Sequence, residues 1–256
     1  MITSIVFSKN RACQLELLLR SLSVPVTVLY TFDSEYKDGY EKVMSIYPSV
    51  QFIKQIDFRR QLIELIGNSK YCMFFVDDDV MINSFNEYCP EFEEFMNDSN
   101  ILSLSLYLCR QYKHRGLPVL DGNKWEWKPF SKGLSGNALR IWGHPMTVGS
   151  TIFRTDDILP IIKNNKMSTP NYLEAALDLN IPKRDLMMCF DKPKVIVNAI
   201  NQVQTDFKSH TRGPTAIELE RIFLEGKRLS LDDIKEKASS ARTHRIAVDY
   251  AYERYE

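Results

Sequence analysis

Residues 71–82 read YCMFFVDDDVMI, six strand-forming positions in a row and then three adjacent acids. A short run that is apolar throughout predicts a strand covered on both faces, as in a parallel sheet. Working back toward the N-terminus, residues 2–7 form a short β-rich run. Leu15, Leu18, Leu19 and Leu22 then fall at i, i+3, i+4 and i+7, one apolar face of a helix. Residues 26–32 (VTVLYTF) read as a second strand, 34–47 as a mixed helix and 50–53 as a short third strand. Asp57 is placed to cap the next helix, whose Phe58, Leu62, Leu65 and Ile66 form another stripe. Strands separated by helices of this length predict right-handed crossovers and a doubly wound α/β sheet. Ligands of such sheets sit beyond the carboxyl ends of the strands. Asp77, Asp78 and Asp79 lie at that edge.

Downstream of the acids the pattern loosens. Residues 101–108 (ILSLSLYL) read as a strand. From 110 to 143 the chain is rich in Gly, Pro, aromatic and basic residues, with a turn expected at Asp121-Gly122-Asn123 before Lys124-Trp125-Glu126-Trp127. A long irregular stretch of this kind is often a lid or binding loop. Residues 147–154 read as a strand, with Thr155 capping a helix through Ile158, Ile161 and Ile162. A short helix is expected at 171–179 and a last strand at 194–200. Helices at 216–225 and 230–239 precede a charged, Tyr-bearing tail read as helical. The expected organisation is one α/β domain over 1–213, followed by a small helical extension at 214–256.

Composition sets the outer limits. The 256 residues are 44% hydrophobic and 26% charged, enough for a sizeable core. Lys plus Arg and Asp plus Glu stand at 33 each, so the balance points neither to nucleic acid nor to an acidic membrane surface. Five scattered cysteines form no C-x-x-C pair, which argues against zinc and a disulfide framework and predicts a reducing, cytoplasmic setting. No signal peptide or membrane span is expected, although peripheral membrane contact stays open.

Three neighbouring carboxylates repel one another, and burying any of them is costly without a compensating cation or donors. An oxygen-rich cluster suits a hard ion such as Mg²⁺ or Mn²⁺, which usually keeps water and substrate phosphate among its ligands. The alternative is a solvated acidic loop at a strand end. Other carboxylate-tipped sheets fit poorly: an aspartyl-phosphate hydrolase wants its acids near the first strand, and a receiver domain wants an early acidic pair. No G-x-x-x-x-G-K-[ST], G-x-G-x-x-G or G-x-S-x-G motif is present.

The opening SIVFSKNRACQLELLLRSL, the segment DFRRQLIELIGNSKYCMFFVDDDVMI and the later GHPMTVGSTIFRTDDIL together resemble nucleotide-sugar glycosyltransferases of the GT-A fold, family-2-like. The likeness covers residues 1–110 closely and 140–205 more loosely, and implies a nucleotide-sugar-binding half over 1–110 and an acceptor-binding half over 111–213. It implies a Rossmann-like α/β/α sandwich and transfer of a sugar, with Mn²⁺ or Mg²⁺, from a nucleotide-diphosphate donor to a glycan, lipid-linked or protein acceptor. By the resemblance, Asp77 is the first D-x-D acid, reaching ribose or metal, and Asp79 is the principal metal ligand, with Asp78 assisting. Ser8 and Arg11 lie near the nucleotide, Asp33 near the base, and Arg60, with Arg59 as its fallback, near the nucleotide or diphosphate. His210 in DFKSHTRG matches a C-terminal histidine that completes the metal site in some members.

An inverting transfer needs a carboxylate to take the acceptor hydroxyl's proton. Glu174 in TPNYLEAAL leads, with Asp156, Asp157, Asp121 and Glu126 as the other candidates. The Asp156–Asp157 pair also suits the macrodipole at a helix start. The chain carries no G-G-F-D-E or Q-x-x-R-W pattern. His144 is read as acceptor-pocket or packing, and Trp125 and Trp127 as sugar platforms or buried anchors. Lys113, His114 and Arg115 are read as diphosphate contacts or loop solvation. Two other functions stand beside the transferase: a nucleotidyltransferase acting on sugar phosphates, and a non-catalytic sugar-binding domain.

Overall fold

A computed structural model of the chain describes residues 2–112, 117–131, 141–198, 200–201, 203, 213–241, 244–246 and 251–254. In chain order the first half runs β1 (Ile2–Lys9), α1 (Ala12–Ser21), β2 (Thr27–Thr31), a 3₁₀ turn (Ser34–Tyr36), α2 (Lys37–Ile46), β3 (Gln51–Lys54), α3 (Phe58–Ile66), β4 (Tyr71–Val76), β5 (Asp79–Met81), α4 (Pro90–Asn97) and β6 (Ile101–Cys109). The second half runs β7 (Lys124–Glu126), α5 (Lys128–Ser131), a 3₁₀ turn (Ile141–Gly143), β8 (Thr151–Arg154), α6 (Thr155–Asn164), α7 (Pro170–Leu179), β9 (Leu186–Phe190) and β10 (Val195–Asn198). It closes with α8 (Ala216–Leu224), β11 (Lys227–Leu229), α9 (Leu231–Ser239), β12 (Arg245–Ile246) and β13 (Tyr252–Arg254).

Eight strands form the central sheet in the order β3-β2-β1-β4-β8-β6-β9-β7. β3, β2, β1 and β4 run parallel, β8 is antiparallel to both its neighbours, β6 and β9 are again parallel, and β7 closes the edge antiparallel. This is the mixed, doubly wound α/β sandwich expected.

The alternation of side chains along β4 shows why its sequence is apolar at every position. Tyr71, Met73 and Phe75 enter one core with Leu15, Leu18, Tyr40 and Phe95. Cys72 and Phe74 enter the other, with Phe58, Leu62, Phe153 and Ile158. A strand with helices on both faces has no solvated side to leave polar. Asp57 caps α3, its carboxylate accepting from the Arg60 N–H.

Several local expectations are corrected. Residues 147–150 form a loop ahead of β8, not its first half. Thr155 is the first helical residue of α6, whose N-cap is Arg154, and makes no side-chain cap. The strand expected at 194–200 is β10, which lies outside the main sheet, between β5 and β12 in a small three-stranded one. Residues 252–254 of the tail are extended, because β13 pairs with β11 and leaves no room for a helix. The five cysteines carry free thiols. Among the described residues no helix is long and apolar enough to cross a membrane.

Candidate active site at the carboxyl edge of the sheet

The covered strand β4 ends at Val76, and the backbone N–H of Asp77 still donates to Phe7 O (3.1 Å) of the neighbouring strand. The acids therefore emerge where β1 and β4 end together. Asp77 is 4% and Asp79 0% exposed, so the cluster is no solvated acidic turn.

Arg11, just before α1, supplies the opposing charge. Its Nη1 lies 2.8 Å from Asp77 Oδ1 and 3.4 Å from Asp78 Oδ2. The second oxygen of Asp77 accepts from the Lys9 N–H at 3.0 Å. The rest of the guanidinium is spent on the segment after β10: Nε donates to Asn201 Oδ1 (2.9 Å) and Nη2 to Asn201 O (2.8 Å). Burial works against the Arg11 charge, but Asp77 and Asp78 more than offset it and hold its pKa above the usual arginine value. Burial raises the Asp77 carboxyl even with that partner in place.

Asp79 turns the other way. Its Oδ2 accepts from the Val76 N–H (3.0 Å) and from Ser150 Oγ (2.7 Å), while its buried Oδ1 has no hydrogen-bond partner among the described residues. Burial, aided by the charge of Asp78, pushes its pKa up to about 8. The small sheet fixes this stretch from outside, since Asp79 pairs with Val197 and Asn198 N donates to Asp78 O (2.7 Å).

A second cluster forms around the ends of β1 and β2. Asn10 donates to Asp33 Oδ2 (2.6 Å) and accepts from the Asp33 N–H (2.8 Å). Ser8 shares a 2.6 Å hydrogen bond with the fully buried Tyr40, whose hydroxyl also accepts from the Arg11 N–H at 3.4 Å. Tyr40 stacks on Tyr30 and lies tilted against Phe32. The structure thus gathers Ser8, Arg11, Asp33, Asp77, Asp78 and Asp79 along one edge.

Glu174 stands on α7, begun by the Thr169 cap and Pro170. Its Oε2 accepts from the Val148 N–H (2.8 Å) and from Thr147 Oγ1 (3.1 Å). Its Oε1 faces His144 Nε2 at 3.9 Å, and that nitrogen lies 2.6 Å from Asp178, one turn along the helix. Residues 147–150 consequently touch both Glu174 and, through Ser150, Asp79.

Other candidates sit elsewhere. Arg60 points into solvent and pairs with Glu64 (3.3 Å), while Arg59 donates to Lys163 O (3.0 Å). Asp157 is taken up by a two-pronged ion pair with Arg184, both contacts at 2.9 Å. Asp121, Glu126 and Asp156 are exposed. Trp125 and Trp127 are buried anchors whose ring N–H groups donate to Trp142 O (2.8 Å) and Arg184 O (3.0 Å). His210, Lys113, His114 and Arg115 lie outside the described residues. Among the described residues no three His, Cys, Asp or Glu side chains form a ready metal-binding group.

Sequence reasoning missed Asn10, Ser150 and Asn201. Among the described residues these are the non-glycine positions with positive φ, at 56°, 45° and 38°. Each hydrogen-bonds a site residue: Asn10 with Asp33, Ser150 with Asp79, Asn201 with Arg11. Sparsely populated backbone conformations concentrate at functional sites. Asn is among the residues that tolerate this region best, a weak signal for two of the three.

No family model matches the chain. It is 27% identical, over a 290-position alignment covering 92% of its length, to the bifunctional glycosyltransferase pgtA of Dictyostelium discoideum. The match spans 37% of that longer protein. Two solved structures are more distantly similar. S. aureus TarS aligns over 76% of this chain and 36% of its own (12% identity, TM-score 0.40). The galactosyltransferase LgtC, solved with donor and acceptor sugar analogs, aligns over 78% of this chain and 75% of its own (10% identity, TM-score 0.36). Over nearly its whole length, the chain is thus similar to part of a glycosyltransferase.

Proposed function

We propose that this chain is a glycosyltransferase that moves a sugar from a nucleotide-diphosphate donor to a hydroxyl of a glycan, lipid-linked or protein acceptor. The observation that carries the reading is the single loop 147–150, which holds two carboxylates from different halves of the fold, Asp79 and Glu174. A transfer of this kind needs both a group that stabilises the leaving diphosphate and a base that faces the acceptor.

The edge formed by Ser8, Asn10, Arg11 and Asp33 receives the nucleoside, with the aromatic wall of Tyr30, Phe32 and Tyr40 beneath it. Asp77 is already satisfied by Arg11 and Lys9 N–H, so its part is to fix that guanidinium and order the loop. Asp79 and Asp78 fit a divalent ion: among the described residues one buried oxygen of Asp79 lacks a partner, and burial together with the charge of Asp78 beside it pushes its carboxyl up. Bound with the diphosphate, Mn²⁺ or Mg²⁺ supplies Lewis-acid stabilisation of the charge that grows as the glycosyl bond breaks. Glu174 takes the proton of the hydroxyl as its oxygen bonds the anomeric carbon on the face opposite the departing diphosphate, a single displacement that inverts that carbon.

The test is a thermal-shift screen of nucleotide-diphosphate sugars with and without Mn²⁺, since a ligand that binds only the folded state raises its melting point. At least one donor is expected to raise it in wild type and to lose the effect in Asp79→Asn. A chain that no nucleotide sugar stabilises does not have this function. An unchanged shift in Asp79→Asn removes Asp79 from the donor site.

A further inference from the structure

We propose that Thr147 is the positioning residue for the proton transfer, holding Glu174 by Oε2 so that Oε1 alone is left to receive the acceptor's proton. The inference rests on the reading of Glu174 as the base and adds which of its oxygens reacts and what aims it.

The direction of every hydrogen bond around Thr147 follows from its neighbours. An ionised carboxylate only accepts, so the Thr147 hydroxyl donates its one proton to Glu174 Oε2. With that proton committed, Thr147 Oγ1 accepts from the Gly149 N–H (3.4 Å). The Gly149 N–H, Thr147 hydroxyl and Glu174 Oε2 therefore line up with one consistent polarity.

The Val148 N–H gives Oε2 a second donor, so one carboxylate oxygen carries both bonds. Among the described residues Oε1 has no hydrogen-bond partner, and it faces the half-buried His144, which Asp178 holds. Two residues farther on, Ser150 donates to Asp79, and its carbonyl is pinned by the Leu106 N–H (2.9 Å) of β6. The loop thereby sets the spacing between the proton-accepting oxygen and the acid at the leaving-group side. Transfer rates are sensitive to this kind of alignment, where about 1 Å of displacement can cost about a hundredfold.

The experiment measures nucleoside diphosphate released from a panel of uridine and guanosine diphosphate sugars with water as the acceptor. It compares wild type, Thr147→Val, Thr147→Ser and Glu174→Gln, with melting temperatures alongside. Valine keeps the shape and removes the hydroxyl. Thr147→Val is expected to lower kcat roughly tenfold to a hundredfold, leaving the donor KM and melting temperature unchanged. Thr147→Ser is expected to restore most of the rate, and Glu174→Gln to abolish it. If Thr147→Val matches wild type while Glu174→Gln is inactive, Thr147 has no such role. A serine variant as slow as the valine one assigns the loss to packing and equally overturns the proposal. An active Glu174→Gln removes the base reading underneath it, and a wild type that turns over no donor removes the proposed function and this inference together.

Discussion

Replacing Glu220 by Gln should stabilise the protein above neutral pH and leave it nearly unchanged in mild acid. Glu220 lies on α8 and is 3% exposed. Its Oε1 accepts from the Gly39 N–H at 2.8 Å, one of the first backbone donors of α2, which has no partner within its own helix. A Cβ on Gly39 would lie 2.2 Å from that oxygen, so only glycine allows the approach. The other oxygen is buried with no hydrogen-bond partner among the described residues. Burial is the largest influence on the carboxyl and raises its pKa from 4.5 to about 7. The Gly39 N–H and Lys42 oppose that rise, and Asp38 reinforces it. The folded protein consequently binds the proton more tightly than the unfolded chain, so stability falls as pH rises through this window. At about 1.4 kcal/mol per pH unit, the loss is about 3 kcal/mol between the unfolded pKa and pH 7, with no further change above. Glutamine is neutral throughout, and its carbonyl can still accept from Gly39. Glu220→Gln should match wild type near pH 5 and exceed it at pH 8 by up to about 3 kcal/mol, about 5–10 °C in melting temperature. Urea unfolding followed by circular dichroism at the two pH values measures this. A variant less stable than wild type at pH 8, or a difference independent of pH, refutes the argument that Glu220 is ionised at a cost.

Arg11→Ala leaves Asp77 buried without its partner and should cost about 3–5 kcal/mol in urea unfolding. Arg11→Lys keeps the charge but cannot span Asp77, Asn201 Oδ1 and Asn201 O at once, so it should resemble the alanine variant more than wild type; lysine at wild-type stability would show that the planar fork is not needed. Ser150→Gly and Ser150→Ala lose the same hydrogen bond to Asp79, but only glycine relieves the left-handed backbone. The glycine variant should therefore be about 1 kcal/mol more stable than the alanine one. Equal stabilities would mean that the φ of 45° stores no strain.

What the sequence reveals here depends on how local the cause is. The six residues before the acids predict β4 to the residue, because burial on both faces leaves a mark at every position. The acids were legible for the same reason, since they stand at the end of that strand, whereas Arg11 came to notice only through the resemblance of the first strand and helix to a known family. Residues 147–150 misled: Thr-Val beside β8 has strand propensity, yet Thr147 and Val148 are turned to hold Glu174, and Ser150 adopts the left-handed region to reach Asp79. The tail failed in the opposite direction, where a helix-like sequence is held extended by β11. Asn10, Ser150 and Asn201 leave almost no trace in a one-dimensional pattern, because their contribution is a backbone angle and not a side-chain type. Yet each of these bent residues holds one charged member of the edge: Asp33, Asp79 or Arg11. Regular elements deliver the charged residues to the carboxyl edge, and the bends between them determine which way each one faces.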